Sequence, residues 1–261
     1  MSEQCVLPNF AERLDHPRSS PWWGEHRSRY RFAQPLVSGR HVLDVACGSG
    51  YGSELLFQGG AASVVGVDNA ANIIAVAAGR ARHGLTFVCA DATALPVADR
   101  TFDVVVSFET LEHVSHASAF VAEIRRVMAD NGVLVISTPN ALHTVPVNGI
   151  PRNPFHVHEY SAAELHATLT RYFSSVTLFG QRPHPAFRPC PFWERSELLS
   201  SRPRDRARIL AWKFAVRLPP APRDRLWHLL HRQAFYPGEH DFVFDREVPE
   251  AGHVLVAICQ P

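Results

Sequence analysis

Two rhythms alternate along residues 41–138. Short β-branched runs recur at His41–Val45, Ser63–Val67, Leu85–Val88, Phe102–Val106 and Gly132–Ser137. Stretches with helical spacing separate them at Gly52–Gln58, Asn69–Arg82 and Ala117–Met128. Strands that alternate with helices predict a parallel sheet covered on both faces, and continuous apolar runs fit strands buried on both sides. Beyond residue 138 the rhythm changes. Ser161-Ala-Ala-Glu164 is a capping box that opens a helix through Tyr172, followed by strands at Ser175–Phe179 and Val254–Cys259.

Between those last two strands lies a stretch of different character, with nine prolines among residues 181–240. The spacing predicts two helices there, Arg204–Leu218 and a second opened by Pro222 and stopped by Pro237-Gly238. Their apolar positions, Ile209, Trp212, Phe214 and Val216 with Leu226, Leu229 and Leu230, are expected to pack against the main body, as a cap. His228, His231, Arg225 and Arg232 read as a solvated face.

Charge sharpens that boundary. The whole chain of 261 residues carries a formal net charge of +1, which argues against nucleic acid as the main partner. Residues 181–240, however, hold 12 Lys+Arg against 5 Asp+Glu. Five scattered cysteines without a Cys-x-x-Cys pair argue against structural zinc or a disulfide framework. No apolar run approaches the ~20 residues that span a bilayer, and Met1–Pro21 lacks the apolar stretch of a signal peptide. The expectation is a soluble protein of a reducing cytoplasm.

The most informative segment is VLDVACGSGYG at residues 42–52. Glycines after a buried strand let the backbone approach a ligand closely. Gly-x-Gly spacing alone also fits a dinucleotide site, with Ser53 at the third position of that fingerprint, but the acids point elsewhere. Asp44 at the tip of the first strand would repel a pyrophosphate and suits a cationic ligand. Asp68, eighteen residues after Gly50, can accept both ribose hydroxyls. Asp91, placed at the end of the third strand, can accept from an adenine N6 amino group. Three acids at successive strand ends, with no neighbouring Lys or Arg for phosphate, describe S-adenosylmethionine.

Residues 41–140 resemble the class I S-adenosylmethionine-dependent methyltransferases through VLDVACGSGYG, VVGVDNA, CADATALP, FDVVVSFETLEHV and RVMADNGVLVISTPN, in the family's order. The resemblance implies an α/β, Rossmann-like, seven-stranded sheet with helices on both faces and an antiparallel last strand at Val254–Cys259. The expectation is one methyltransferase domain: an N-terminal helical lid at 1–40, a cofactor-binding core at 41–180, a helical cap at 181–240, which the resemblance does not cover, and the final strand at 241–261. It also implies roles: Asp44, Gly48 and Gly50 around the methionine part, Asp68 and Asn69 at ribose and adenine, Asp91 and Ala92 at the adenine edge, and Phe108 beside the sulfonium. Similar chains carry His-x-x-Arg-Tyr in the N-terminal helix, which carries over Tyr30 as a cofactor contact and Arg29 as a partner of the methionine carboxylate.

Acid–base or metal chemistry falls after the fourth strand. On a helical first turn Glu109, Glu112 and His113 share a side and make a site for Mg²⁺ or Mn²⁺. The cluster resembles the Glu-x-x-Glu-His motif of small-RNA 2′-hydroxyl methyltransferases and of some ubiquinone-pathway O-methyltransferases, which adds His156 of FHVHEYS as a further ligand. Three roles stay open: metal coordination by Glu109, Glu112, His113 and His156; His113 or His156 as a metal-free base or substrate contact; or packing beside the cofactor. His156 and His158 point apart if the segment is extended, so only one faces the site. The NPFHVHEYSxxEL stretch and the terminal HVLVAIC strand resemble bacterial methyltransferases of glycan and secondary metabolism.

The activity expected is methyl transfer to a small-molecule acceptor, at a hydroxyl of a sugar or natural-product intermediate. Arg182, Arg188 and Arg195 are candidates to bind an acidic acceptor, and the basic helices could instead lie on a membrane surface or touch RNA. Alternatives are N-methylation of a small amine, RNA 2′-hydroxyl methylation, and binding of S-adenosylmethionine without catalysis.

Overall fold

The computed structural model describes residues 21–184 and 214–261, with isolated positions at 207, 210 and 211. Arg188, Arg195, Ile209 and Trp212, with most of the first expected cap helix, lie outside the described residues. The elements in chain order are α1 (Pro21–Ala33), β1 (His41–Val45), α2 (Tyr51–Gln58), β2 (Ser63–Asp68), α3 (Ala71–Ala77), β3 (Leu85–Cys89) and β4 (Phe102–Phe108). They continue with α4 (Ala117–Val127), β5 (Met128–Pro139), the single turn α5 (Ala141–Thr144), α6 (Ala162–Leu169), β6 (Ser175–Pro183), α7 (Pro220–His231), β7 (Phe242–Asp245) and β8 (Val254–Gln260).

Two compact units form. One holds Arg29–Gln181 and Phe244–Pro261, and the other holds the described residues within 16–28 and 182–243. The sheet runs in the order β3-β2-β1-β4-β5-β8-β6-β7. β1 pairs in parallel with both β2 and β4, and β8 is antiparallel to β5 and to β6. The antiparallel last strand is as expected. The sheet has eight strands instead of seven, because Phe242–Asp245 adds an edge strand that four residues of FVFD do not announce.

Alternation across each strand sorts the core into two layers. Leu43, Val105 and Ile136 pack on one side with Phe120 and Ile124 of α4 and Leu165 and Leu169 of α6. Val42, Val104 and Val106 pack on the other with Tyr30 and Ala33 of α1 and Leu55 and Leu56 of α2. Both faces are therefore buried, which is why the strands read as continuous apolar runs.

Helix ends follow local chemistry. The Ser161–Glu164 box is formed reciprocally, and α6 stops at Leu169 instead of reaching Tyr172. α3 gives way at Ala78 to a 3₁₀ turn that ends at Arg80. α7 opens at Pro220, two residues before the expected Pro222, and stops at His231, where Arg232 takes φ 54°. Its leucines correct the expectation of inward packing, since Leu226, Leu229 and Leu230 are exposed. Phe214 and Val216 are exposed as well. No helix among the described residues is long and apolar enough to cross a membrane.

Candidate cofactor and acceptor site

Because β1, β2, β4 and β5 are parallel, the loops that follow them gather at one end of the sheet, and the order reverses direction at β1. That reversal opens a crevice suited to a ligand. The loop after β1 is tightly bent: Ala46, Gly48 and Gly50 have φ of 61°, 55° and 78°. A side chain at Gly50 is excluded twice, by that dihedral and by Phe87, whose ring would lie 2.6 Å from a Cβ.

Two of the three expected acids are built into this crevice. Asp68 fixes the loop itself, since Gly48 N–H donates to its Oδ2 at 3.1 Å and Ala70 N–H to its Oδ1 at 3.0 Å. Asp44 is fully buried and accepts from the Ser53 hydroxyl at 2.6 Å, with the Tyr30 hydroxyl at 3.4 Å. Burial pushes the Asp44 carboxyl up to about 7, against the lowering effect of those two hydroxyls, and the nearby Asp68 adds to the rise. A half-neutral buried acid in a ligand crevice is what a cationic ligand would ionise.

Asp91 departs from the expectation. β3 ends at Cys89, and Asp91 lies beyond it in a turn, exposed, its Oδ1 taken by the Thr93 backbone N–H and hydroxyl at 2.8 Å each. Asn69 is exposed and Ala92 half-buried at the same end of the sheet.

Tyr30 and Phe108 form the apolar floor. Phe108 is the last residue of β4 and buried, and the Tyr30 ring meets it edge-on with centroids 4.9 Å apart. Burial raises the Tyr30 phenol well above its ordinary value. Arg29 is fully buried and donates from Nη1 to Gln181 Oε1 at 2.8 Å, a partner on β6 that no sequence signal marked. Its Nε and Nη2 have no hydrogen-bond partner among the described residues. The loop, the buried acid and the orphaned guanidinium nitrogens fit a ligand that carries both a cation and a carboxylate.

The Glu-x-x-Glu-His cluster is only partly as expected. Residues Leu111–His113 form a 3₁₀ turn, and Glu109 precedes it with φ 51°. That dihedral turns Glu109 aside, and its Oε1 accepts from the Ser137 hydroxyl at 2.7 Å. The ligand atoms that gather belong to Glu112, His113 and His156, all within 4.8 Å of one another. Glu109 lies outside that group of three.

Glu112 is buried, with Oε2 accepting from the Thr138 hydroxyl at 3.0 Å and Oε1 3.9 Å from His113 Nε2 with no hydrogen-bond partner among the described residues. Burial first, and the charge of Glu109 second, raise its carboxyl well above the usual range.

Chain 153–160 is laid along this turn by its backbone. Val157 N–H donates to the Glu112 carbonyl at 2.7 Å, and Ala141 N–H donates to the Tyr160 carbonyl at 2.9 Å. Asn140 anchors the same loop from behind, donating from Nδ2 to the Gly252 carbonyl at 2.8 Å. The His113 Nδ1 lies 3.0 Å from the Phe155 carbonyl, which can only accept, so Nδ1 carries the hydrogen and the lone pair is on Nε2. His156 packs edge-on against it, with ring centroids 4.9 Å apart.

His156 is held by residues the sequence reading missed. Its Nδ1 lies 2.8 Å from Glu159 Oε1 and its other nitrogen 3.0 Å from the Asn153 amide. His158 turns the other way, onto Tyr160 and toward Glu164. Only His156 of the pair faces the cluster.

Residues 43–136 match a protein family described as a methyltransferase domain. A probable S-adenosylmethionine-dependent methyltransferase of Mycolicibacterium smegmatis is 36% identical over 170 residues, 63% of this chain and 61% of that protein. A ubiquinone biosynthesis O-methyltransferase of Coxiella burnetii is 34% identical over 117 residues, 44% of this chain and 50% of that one. The chain thus spans half to three fifths of the length of these curated relatives. Among solved structures, a possible histamine N-methyltransferase of Thermotoga maritima superposes with a TM-score of 0.58 at 14% identity, over 92% of each chain, a likeness of fold alone. With the glycine loop, the carboxylates and the sheet order in agreement, residues 43–136 are similar to a methyltransferase domain, and the chain resembles S-adenosylmethionine-dependent methyltransferases over that stretch.

Proposed function

We propose that this chain transfers a methyl group from S-adenosylmethionine to a hydroxyl of a small-molecule acceptor, such as a sugar or natural-product intermediate. The observation that carries the hydroxyl reading is the imidazole of His113, oriented by the Phe155 carbonyl. When bound, S-adenosylmethionine supplies a methyl on a sulfonium, which a nucleophile displaces in line. A neutral amine needs no base for that, whereas a hydroxyl does.

In this reading His113 Nε2 takes the acceptor's proton as the oxygen attacks. The Phe155 carbonyl keeps the ring in the competent tautomer. Asp44 supports the positive charge of the cofactor and Asp68 holds the loop against it. Asp91 and Ala92 line the adenine edge, and Arg29 receives the methionine carboxylate. The name of the Coxiella burnetii relative adds support for oxygen as the acceptor atom.

A second reading is favoured by one geometry, the three donors gathered within 4.8 Å. With Glu109 turned away, one carboxylate and two imidazoles remain, a set that suits Mn²⁺ or Zn²⁺ better than Mg²⁺. Such an ion would bind only as the raised Glu112 carboxyl loses its proton, so its affinity would rise with pH.

The test is S-adenosylhomocysteine formation against a panel of hydroxyl and amine acceptors, run with and without a chelator. Turnover confined to amines would overturn the hydroxyl reading. Turnover abolished by chelator and restored by Mn²⁺ would move the proton-taking role from His113 to the metal.

A further inference from the structure

Helix α7 is packed the wrong way round for a surface helix facing water. Its charged residue Arg223 is only 5% exposed, with the guanidinium 4.2 Å over the Phe235 ring and 5.0 Å from Tyr236. Trp227, one turn on, meets Phe235 edge-on at 5.1 Å. These contacts fix the helix orientation. They leave Leu226, Leu229 and Leu230 facing outward, 50%, 78% and 65% exposed. The three stand at i, i+3 and i+4, so they form one stripe. Leu210 and Phe214, also exposed, add apolar surface in the preceding helical residues.

Among the described residues the charge beside the stripe is mainly basic, and the sequence of residues 181–240 holds 12 Lys+Arg against 5 Asp+Glu. Of the described acids, Asp224 is engaged by Arg223 and Glu239 by Arg27. Arg217, Arg225 and Arg232 are exposed on or beside α7. A second copy docked on this face would bring like charges together. Nucleic acid would answer the arginines and leave the leucines in water. An anionic lipid surface satisfies both, since headgroups neutralise arginines while leucines enter the acyl boundary.

We propose that the outward face of α7 docks this protein on an anionic lipid bilayer without spanning it. The proposal is independent of which acceptor is methylated.

The experiment is co-sedimentation of the full chain with phosphatidylglycerol-containing vesicles and with pure phosphatidylcholine vesicles, at low and high salt. Binding to the anionic vesicles is expected, weakened by salt, with neutral vesicles bound at least about tenfold less well. The triple substitution Leu226→Ser, Leu229→Ser, Leu230→Ser should reduce binding about tenfold or more, with S-adenosylmethionine binding and thermal unfolding kept as controls of fold. If that variant does not fold, Arg217→Glu with Arg225→Glu serves instead, with the same loss expected.

No binding to anionic vesicles, or equal binding to both kinds, overturns the proposal. So does a leucine-dependent dimer in the absence of vesicle binding, or binding to RNA but not to vesicles.

Discussion

The Tyr30 ring occupies the space a side chain on Gly52 would need: a Cβ there would lie 1.9 Å from Tyr30 Cζ. A glycine two positions beyond the bent loop therefore lets α1 insert its tyrosine between Asp44, Tyr51 and Phe108. Gly52→Ala is expected to displace the ring, cost about 1–3 kcal/mol as overpacking does, and weaken S-adenosylmethionine binding. Chemical denaturation with titration calorimetry checks it, and an unchanged affinity would remove Tyr30 from the cofactor site.

Asp44 makes cofactor binding sensitive to pH. Its folded-state carboxyl sits at about 7 against an ordinary 3.8, so the stability it gives the ligand-free chain is complete below the ordinary value. That contribution is lost as pH rises through about 7. A cationic ligand draws on the ionised form, so affinity for S-adenosylmethionine should strengthen between about pH 6 and about pH 8, with proton release on binding visible in calorimetry. Asp44→Asn should weaken binding and flatten the dependence. A dependence that persists in that variant would assign it to another group.

His113→Asn should lower turnover by about 10²-fold or more while leaving cofactor affinity near that of the parent, because a general base acts on the acceptor's proton alone. Glu112→Gln separates the two readings of the cluster. If Glu112 works as a neutral buried carboxyl held by Thr138, the amide replaces it with loss within about tenfold. If it is a metal ligand, the variant loses metal dependence together with turnover. Single-turnover rates with added Mn²⁺ read the difference.

Ser161→Ala removes the hydroxyl arm of the α6 capping box, keeping the backbone N–H that donates to Glu164, and should cost about 1 kcal/mol of stability. Cofactor binding should not move, since α6 packs on the layer of the core formed with Leu165 and Leu169 and supplies no group to the crevice. Thermal unfolding beside calorimetry makes that comparison.

The core strands were legible because burial on both faces writes the same apolar run into each of them. Asp44, Asp68 and the glycines were legible for a related reason: a strand end followed by a forced bend leaves few residue types that fit. Asp91 was placed on the third strand, yet a turn closed by Thr93 holds it beyond the strand's end. A helical spacing for Glu109, Glu112 and His113 assumed ordinary helical dihedrals, and φ 51° at Glu109 undid it. Glu159, Asn153 and Gln181 carried no signal, since each matters only through a partner brought to it by the fold.

The sequence by itself determined the alternating sheet and helices, the glycine loop and the likeness to methyltransferases, because these depend on local patterns of burial and backbone bend. Only the tertiary structure decided which acid joined which histidine and which side of α7 met water. Periodicity shows that a helix has an apolar stripe, but not which neighbour claims it. Arg223 and Trp227 stacked on Phe235, and the leucines were left outside.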